Sequence, residues 1–309
     1  MNEKDTISRI FLGDNDRFAD VMNVGMFHGK EVLSGSQLKS RDSFVSSIFG
    51  RFRKKSAIHK YRDLLKKSVF GVNFALIGIE NQTDVHYAMP VKAMIYDALS
   101  YGQQINDAKR SHEKEKDYGS SAEFLSGFTK KDKLVPVITI TVYMGTDNWD
   151  GPRSLYEMMG NIDKNILPYV SDYKINLVEP GKITDFTKFE TGLGQLFEIL
   201  QNASDKNKME SVLKKDPAFK KIDRETAAAI NLFAGMNLKV NEKDEVVDVC
   251  KAWEEQKKSG QIEERIDIIS KFLENGGTKE EAKRMLEVSE EDIIMAEKRI
   301  SEIHQTICV

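Results

Sequence analysis

Apolar positions along the chain fall into two regimes. Up to about residue 200, short continuous apolar runs alternate with helical stripes, and beyond residue 185 the spacing is helical almost throughout. This predicts an α/β portion followed by an all-helical remainder. Residues 16–27 place Phe18, Val21, Met22, Val24 and Met26 near helical spacing, with Asp14 or Asn15 available as the N-cap of a first helix. Residues 42–69 mix β-branched and aromatic side chains with Gly50 and a basic run, the pattern of a hairpin or two short strands. The run NFALIGIE (73–80) is apolar between polar flanks, as in a strand buried on both faces. In residues 87–105, Met89, Ala93, Tyr96, Leu99 and Tyr101 follow helical spacing, with Pro90 in the first turn, where its missing N–H costs little. Residues 106–132 are polar and predict a loop excursion, VPVITITVYMG (135–145) a second buried strand, and DYKINLVE (172–179) a weaker third. A mixed sheet flanked by helices is the expected core.

Near the C-terminus one capping device occurs twice. Thr278 precedes Glu281, and Ser289 precedes Asp292, each a hydroxyl three residues before a carboxylate. Gly276 and Gly277 are placed to end a helix over 262–273. Three helices with short turns result, loosely like a helix-turn-helix unit. They suit either a small DNA- or partner-binding module or a packed helical tail.

Composition narrows the classes. The 309 residues are 40% hydrophobic and 31% charged, as in an ordinary soluble protein, and no window approaches the ~18–20 apolar residues of a membrane span. The first residues lack the apolar core of a signal peptide, so a cytoplasmic protein with no membrane partner is expected. Cys250 and Cys308 lie far apart and the five histidines are scattered, which argues against a disulfide framework and a thiolate zinc site. Any metal would take oxygen ligands. The net charge of −3 hides an asymmetry: residues 51–67 hold eight basic side chains and one acid, whereas residues 241–300 hold eleven basic and seventeen acidic ones. The eight are Arg51, Arg53, Lys54, Lys55, Lys60, Arg62, Lys66 and Lys67, a strip able to hold a phosphate backbone or simply to be a solvated surface hairpin.

Within that strip sits Asp63, and at the end of the NFALIGIE run sits Glu80. A carboxylate ending a buried strand needs a cation or hydrogen-bond donors, because burying it unpaired costs several kcal/mol. Alternation places Gly78, Glu80 and Gln82 on one face. Asp63 and Glu80 from adjacent strands could share Mg²⁺, with waters completing the shell. On the residues alone, Asp63 also suits a solvated acid, Glu80 a cap on the next helix and Lys92 a solvent-facing helical lysine.

Taken together, RFADVMN (17–23), HKYRDLLKK (59–67), FALIGIENQTDVHYAMPVKAMIYDALSY (74–101), KLVPVITITVYMG (133–145), WDGPRSLYEM (149–158) and DYKINLVE (172–179) resemble the Rpn family of recombination-promoting nucleases, also named transposases, in the PD-(D/E)XK nuclease superfamily. The resemblance spans roughly residues 8–200 and is most specific from Glu80 to Tyr101. It implies a restriction-endonuclease-like core over residues 1–200: a helix, a meander of three strands, a crossing helix and a further strand, with a helical region over 201–309. It also implies a DNA endonuclease dependent on Mg²⁺, or Mn²⁺, with Asp63 and Glu80 as metal ligands. Gln82 stands where the superfamily usually has lysine; it can orient water or phosphate but brings no charge. Lys92, four residues before Tyr96, would return an ammonium to the site, Tyr96 would be a supporting residue beside it, and Asp20, or Asp16, would correspond to a supporting acid on the first helix. The expected partners are DNA and, through the helical region, a second copy of the chain. The alternative is a nuclease-like fold without turnover that binds DNA or protein through the basic strip or the tail.

Overall fold

The computed structural model describes residues 7, 10–40, 44–47, 58–61, 64–68, 73–77, 85–241 and 243–307. The fold is mixed α/β. Helix α1 (Asn15–Gly25) starts where Asp14 accepts hydrogen bonds from the backbone of Asp16 and Arg17 at 3.1 and 3.0 Å. It buries Phe18, Val21 and Met22 together with Phe11 and Leu12 just ahead of it. Its last residue, Gly25, lies so close to the sheet that an added Cβ would sit 2.6 Å from Val178 Cγ2, which requires the glycine.

Five strands form the main sheet: β1 (Leu38–Ser40), β4 (Leu64–Ser68), β5 (Asn73–Ile77), β6 (Val137–Val142) and β7 (Asn176–Val178), side by side in that order. β1, β4 and β5 are antiparallel neighbours, while β5, β6 and β7 run parallel. A separate hairpin pairs β2 (Phe44–Ser47) with β3 (Ile58–Tyr61). Helix α2 (Met89–Glu115) makes the crossover between β5 and β6. It continues well into the polar stretch expected to be a loop, because residues 106–115 are good helix formers with intrahelical ion pairs such as Lys109–Glu113. A short helix, α3 (Ser121–Ser126), follows within the same excursion.

The two faces of β6 are chemically different. Ile140 and Val142 join the main core with α1, whereas Thr139 faces Asp97 of α2. Helix α4 (Leu193–Asn202) buries Leu193, Leu196, Phe197 and Leu200 at helical spacing. Around it pack α5 (Lys206–Lys215) and α6 (Arg224–Ala234), together with the two-residue strands β8 (Ile222–Asp223) and β9 (Val246–Val247) that apolar periodicity had not indicated. One cluster of buried apolar residues runs from Phe11 to Val249, so the boundary expected at residue 200 falls inside a shared core. Arg17 reinforces this junction: its guanidinium meets Asp223 at 2.8 Å and Glu225 at 2.5 Å.

Helix α7 (Val249–Glu274) is twice the length expected from its apolar pattern, and α8 (Lys279–Leu286) and α9 (Glu290–Ile307) pack against its far end. Ile269, Ile293 and Ala296 form a separate small core there. Both capping devices form as expected. Glu281 N donates to Thr278 Oγ1 at 3.2 Å while Glu281 accepts from Thr278 N at 2.9 Å, and Ser289 and Asp292 repeat this at 3.1 Å in both directions.

Candidate functional site

The register of β4 on β5 places the strand ends that adjoin two of the candidate positions in sequence. Leu64 pairs with Leu76, so the first residue of β4 and the last residues of β5 lie at one end of the sheet. Asp63, Glu80, Gln82, Arg51, Arg53, Lys54, Lys55 and Arg62 lie outside the described residues; in sequence, Asp63 directly precedes Leu64, and Glu80 follows Ile77 by three positions. Lys60 and Lys67 are backbone positions of β3 and β4.

Several described groups gather at the same end. Ile77 pairs with Thr141 of the parallel neighbour, and Thr141 in turn with Leu177. The Thr141 hydroxyl is buried and has no hydrogen-bond partner among the described residues. Met89, at the start of α2, packs with Tyr143 and Trp149 just past β6, which fixes the N-terminus of α2 at this end. Lys92 therefore lies one turn into α2 close to the strand ends, half-buried, and its backbone N–H donates to Ala88 O at 3.0 Å. Tyr96, one turn further, is buried against Ala93, Tyr173 and Ile175 and belongs to the α2–sheet packing.

Two buried carboxylates occupy this side of the sheet without having been anticipated. Glu179, immediately after β7, is 4% exposed and receives Arg153 Nη2 at 2.7 Å and the Trp149 backbone N–H at 3.4 Å. Asp97 accepts from the Thr139 hydroxyl and, at 2.5 Å, from the Tyr173 hydroxyl. The alternating threonines in VITITV were the available signal for a polar face on β6, since hydroxyls in a buried strand need acceptors.

Two expected positions are corrected. Lys66 does not face a ligand: it is 1% exposed, and its ammonium donates to Gly13 O at 2.5 Å and to Asn15 Oδ1, with the Phe18 ring 5.2 Å away. Burial pulls its pKa below the ordinary lysine value, against the opposing pull of Asp14 and Asp16. Alternation along β4 turns this position toward α1, so a charge in the basic strip became a tie between helix and sheet. Asp20 is equally committed: its carboxylate accepts from Glu190 N at 3.1 Å, Thr191 N at 2.8 Å and Thr191 Oγ1 at 2.6 Å, holding the segment that leads into α4. It is 4% exposed, a structural anchor in place of the expected supporting acid.

No set of three or more metal-ligating side chains converges among the described residues. No described helix is long and apolar enough to cross a membrane. Comparison with protein-family models, curated proteins and solved structures gives no match.

Proposed function

We propose that the chain is a Mg²⁺-dependent DNA endonuclease. The observation that carries this reading is the Leu64–Leu76 pairing, which brings together the strand ends adjoining Asp63 and Glu80 in sequence. With the separate β2–β3 hairpin and the short α3 set aside, α1, β1, β4, β5, α2 and β6 add support: a helix, three antiparallel strands, a crossing helix and a parallel strand are the order implied by the nuclease resemblance.

In this reading Asp63 and Glu80 hold the cation through oxygen ligands, the donor type Mg²⁺ prefers. When bound, it would activate water and balance charge on the scissile phosphate. Gln82 orients that water or the phosphate through its amide. Lys92, one turn into α2, supplies positive charge near the leaving oxygen. The basic positions among residues 51–67 other than Lys66 hold the nucleic-acid backbone, giving affinity without sequence preference.

The test is nicking of supercoiled plasmid with Mg²⁺ or with chelator. Wild type is expected to nick only with metal, and Asp63→Ala and Glu80→Ala to lose activity while keeping the wild-type circular dichroism spectrum. Full activity in both folded variants refutes the assignment. A non-catalytic binding module is the second reading, favoured by glutamine at position 82 where lysine is usual. It predicts no nicking and no calorimetric heat from Mg²⁺ or Mn²⁺ that Glu80→Gln removes.

A further inference from the structure

The last turn of α2 carries a second arrangement, independent of the nuclease reading. His112 lies 23 residues beyond Met89, about 35 Å along the helix from its first turn. Its side chain is 14% exposed, with Nδ1 2.7 Å from Asp117 Oδ1 and Nε2 2.9 Å from Asp132 Oδ2. The two carboxylates approach opposite nitrogens of one ring. A neutral imidazole has a single N–H and would turn a bare lone pair toward one carboxylate; only the imidazolium donates to both.

The two aspartates mark the entrance and exit of one excursion. Lys116 ends α2 in the left-handed region, φ 56°, and returns Asp117 toward His112. Asp132 closes a turn by accepting from Thr129 N at 2.6 Å. Between them lies α3, braced by Glu123, which accepts from Gly119 N at 2.8 Å and Lys130 N at 3.1 Å. The Tyr118 ring lies 5.4 Å from the imidazole and meets Phe124 edge-on at 5.6 Å. Phe124 and Leu125 of α3 are 63% and 82% exposed, an apolar pair that the excursion holds in place.

We propose that His112 is a pH-operated clasp, closing residues 117–132 onto the end of α2 as the imidazolium and releasing them when it loses its proton. The charged and titratable neighbours favour the closed, protonated form. Asp117 and Asp132 bond the ring directly, Glu113 on the same helix is matched by Lys109 at 3.8 Å, and Glu123 and Lys130 offset one another on the excursion. Hydrogen bonds to Asp117 and then to Asp132 raise the His112 pKa above its ordinary value, against a smaller effect of burial, and Asp132 is correspondingly lowered, chiefly by the Thr129 N–H. A raised folded-state value means the closing contribution is complete below the ordinary histidine pKa of ~6.5 and is lost as pH rises through the raised value.

The test uses the full chain. NMR follows the His112 ring titration, and hydrogen exchange, corrected for its intrinsic pH dependence, reports protection of amides in 118–131. In wild type, His112 is expected to titrate above ~6.5, and protection to fall through that same pH by about tenfold for each pH unit of elevation. His112→Gln should be weakly protected at every pH, and Asp117→Asn should move the His112 titration downward. A His112 titration at or below ~6.5 overturns the clasp. So does a wild-type pH profile in His112→Gln, or, should that variant not fold, an unmoved titration in Asp117→Asn.

Discussion

Replacing Lys66 by methionine keeps most of the side-chain volume and removes only the ammonium, so it measures what that charge does in the interior. The ammonium satisfies Gly13 O and Asn15 Oδ1, while Asn15 Nδ2 donates onward to Leu38 O at 3.2 Å, so one buried charge links β4, α1 and β1. Hydrogen bonds to a charged group contribute about 1.5–3 kcal/mol each, and relief of the buried charge offsets part of their loss. Lys66→Met is therefore expected to destabilise the protein by about 2–4 kcal/mol, read from urea unfolding followed by near-ultraviolet circular dichroism. A change below about 0.5 kcal/mol, typical of a surface substitution, would refute the buried tie. The pH dependence gives a second check. Because burial lowers the folded-state pKa, the unfolded chain binds more protons between that lowered value and ~10.5, and wild type gains stability over Lys66→Met as pH rises through this window. A gap that narrows there contradicts the assignment.

Two further substitutions probe the anchors. Asp20→Ala leaves two backbone N–H groups and a hydroxyl at the entry to α4 without their acceptor, and is expected to cost about 2–4 kcal/mol in the same assay. Thr278→Ala removes the N-cap of α8 and should cost about 1 kcal/mol, seen as faster hydrogen exchange confined to α8 and its contacts with α7.

The elements most legible in the sequence were those whose burial leaves a dense apolar signature. The NFALI and VITITV strands and α1 lie where their runs indicated. Both capping devices near the C-terminus were legible because their hydrogen bonds are local. Elements held by tertiary context were harder to read. The end of α2 and the first half of α7 are polar on most faces, so periodicity was silent and helix propensity with ion pairs decided the outcome. Lys66 was misleading because a run of basic residues resembles a solvated face, and only the approach of Gly13 and Asn15 across more than fifty residues of sequence explains its burial. Asp97, Glu179 and Asp132 gave no local motif, because their partners come from distant strands and turns, and Asp117 meets His112 only through the left-handed turn at Lys116.

The continuity of the core across residue 200 bears on how such a chain can be dismantled or recombined. Met209, Leu213, Phe219, Ile230 and Phe233 are buried in the same apolar cluster as Phe18 and Val142, so cutting after α4 would open a cavity in place of releasing a module. The natural seam lies further on, within α7, where the main cluster ends at Val249 and a second one begins around Ile269. A graft exchanged at that seam could bring new α8–α9 ends to an intact body, whereas one exchanged at residue 200 would have to carry its own half of a hydrophobic jigsaw.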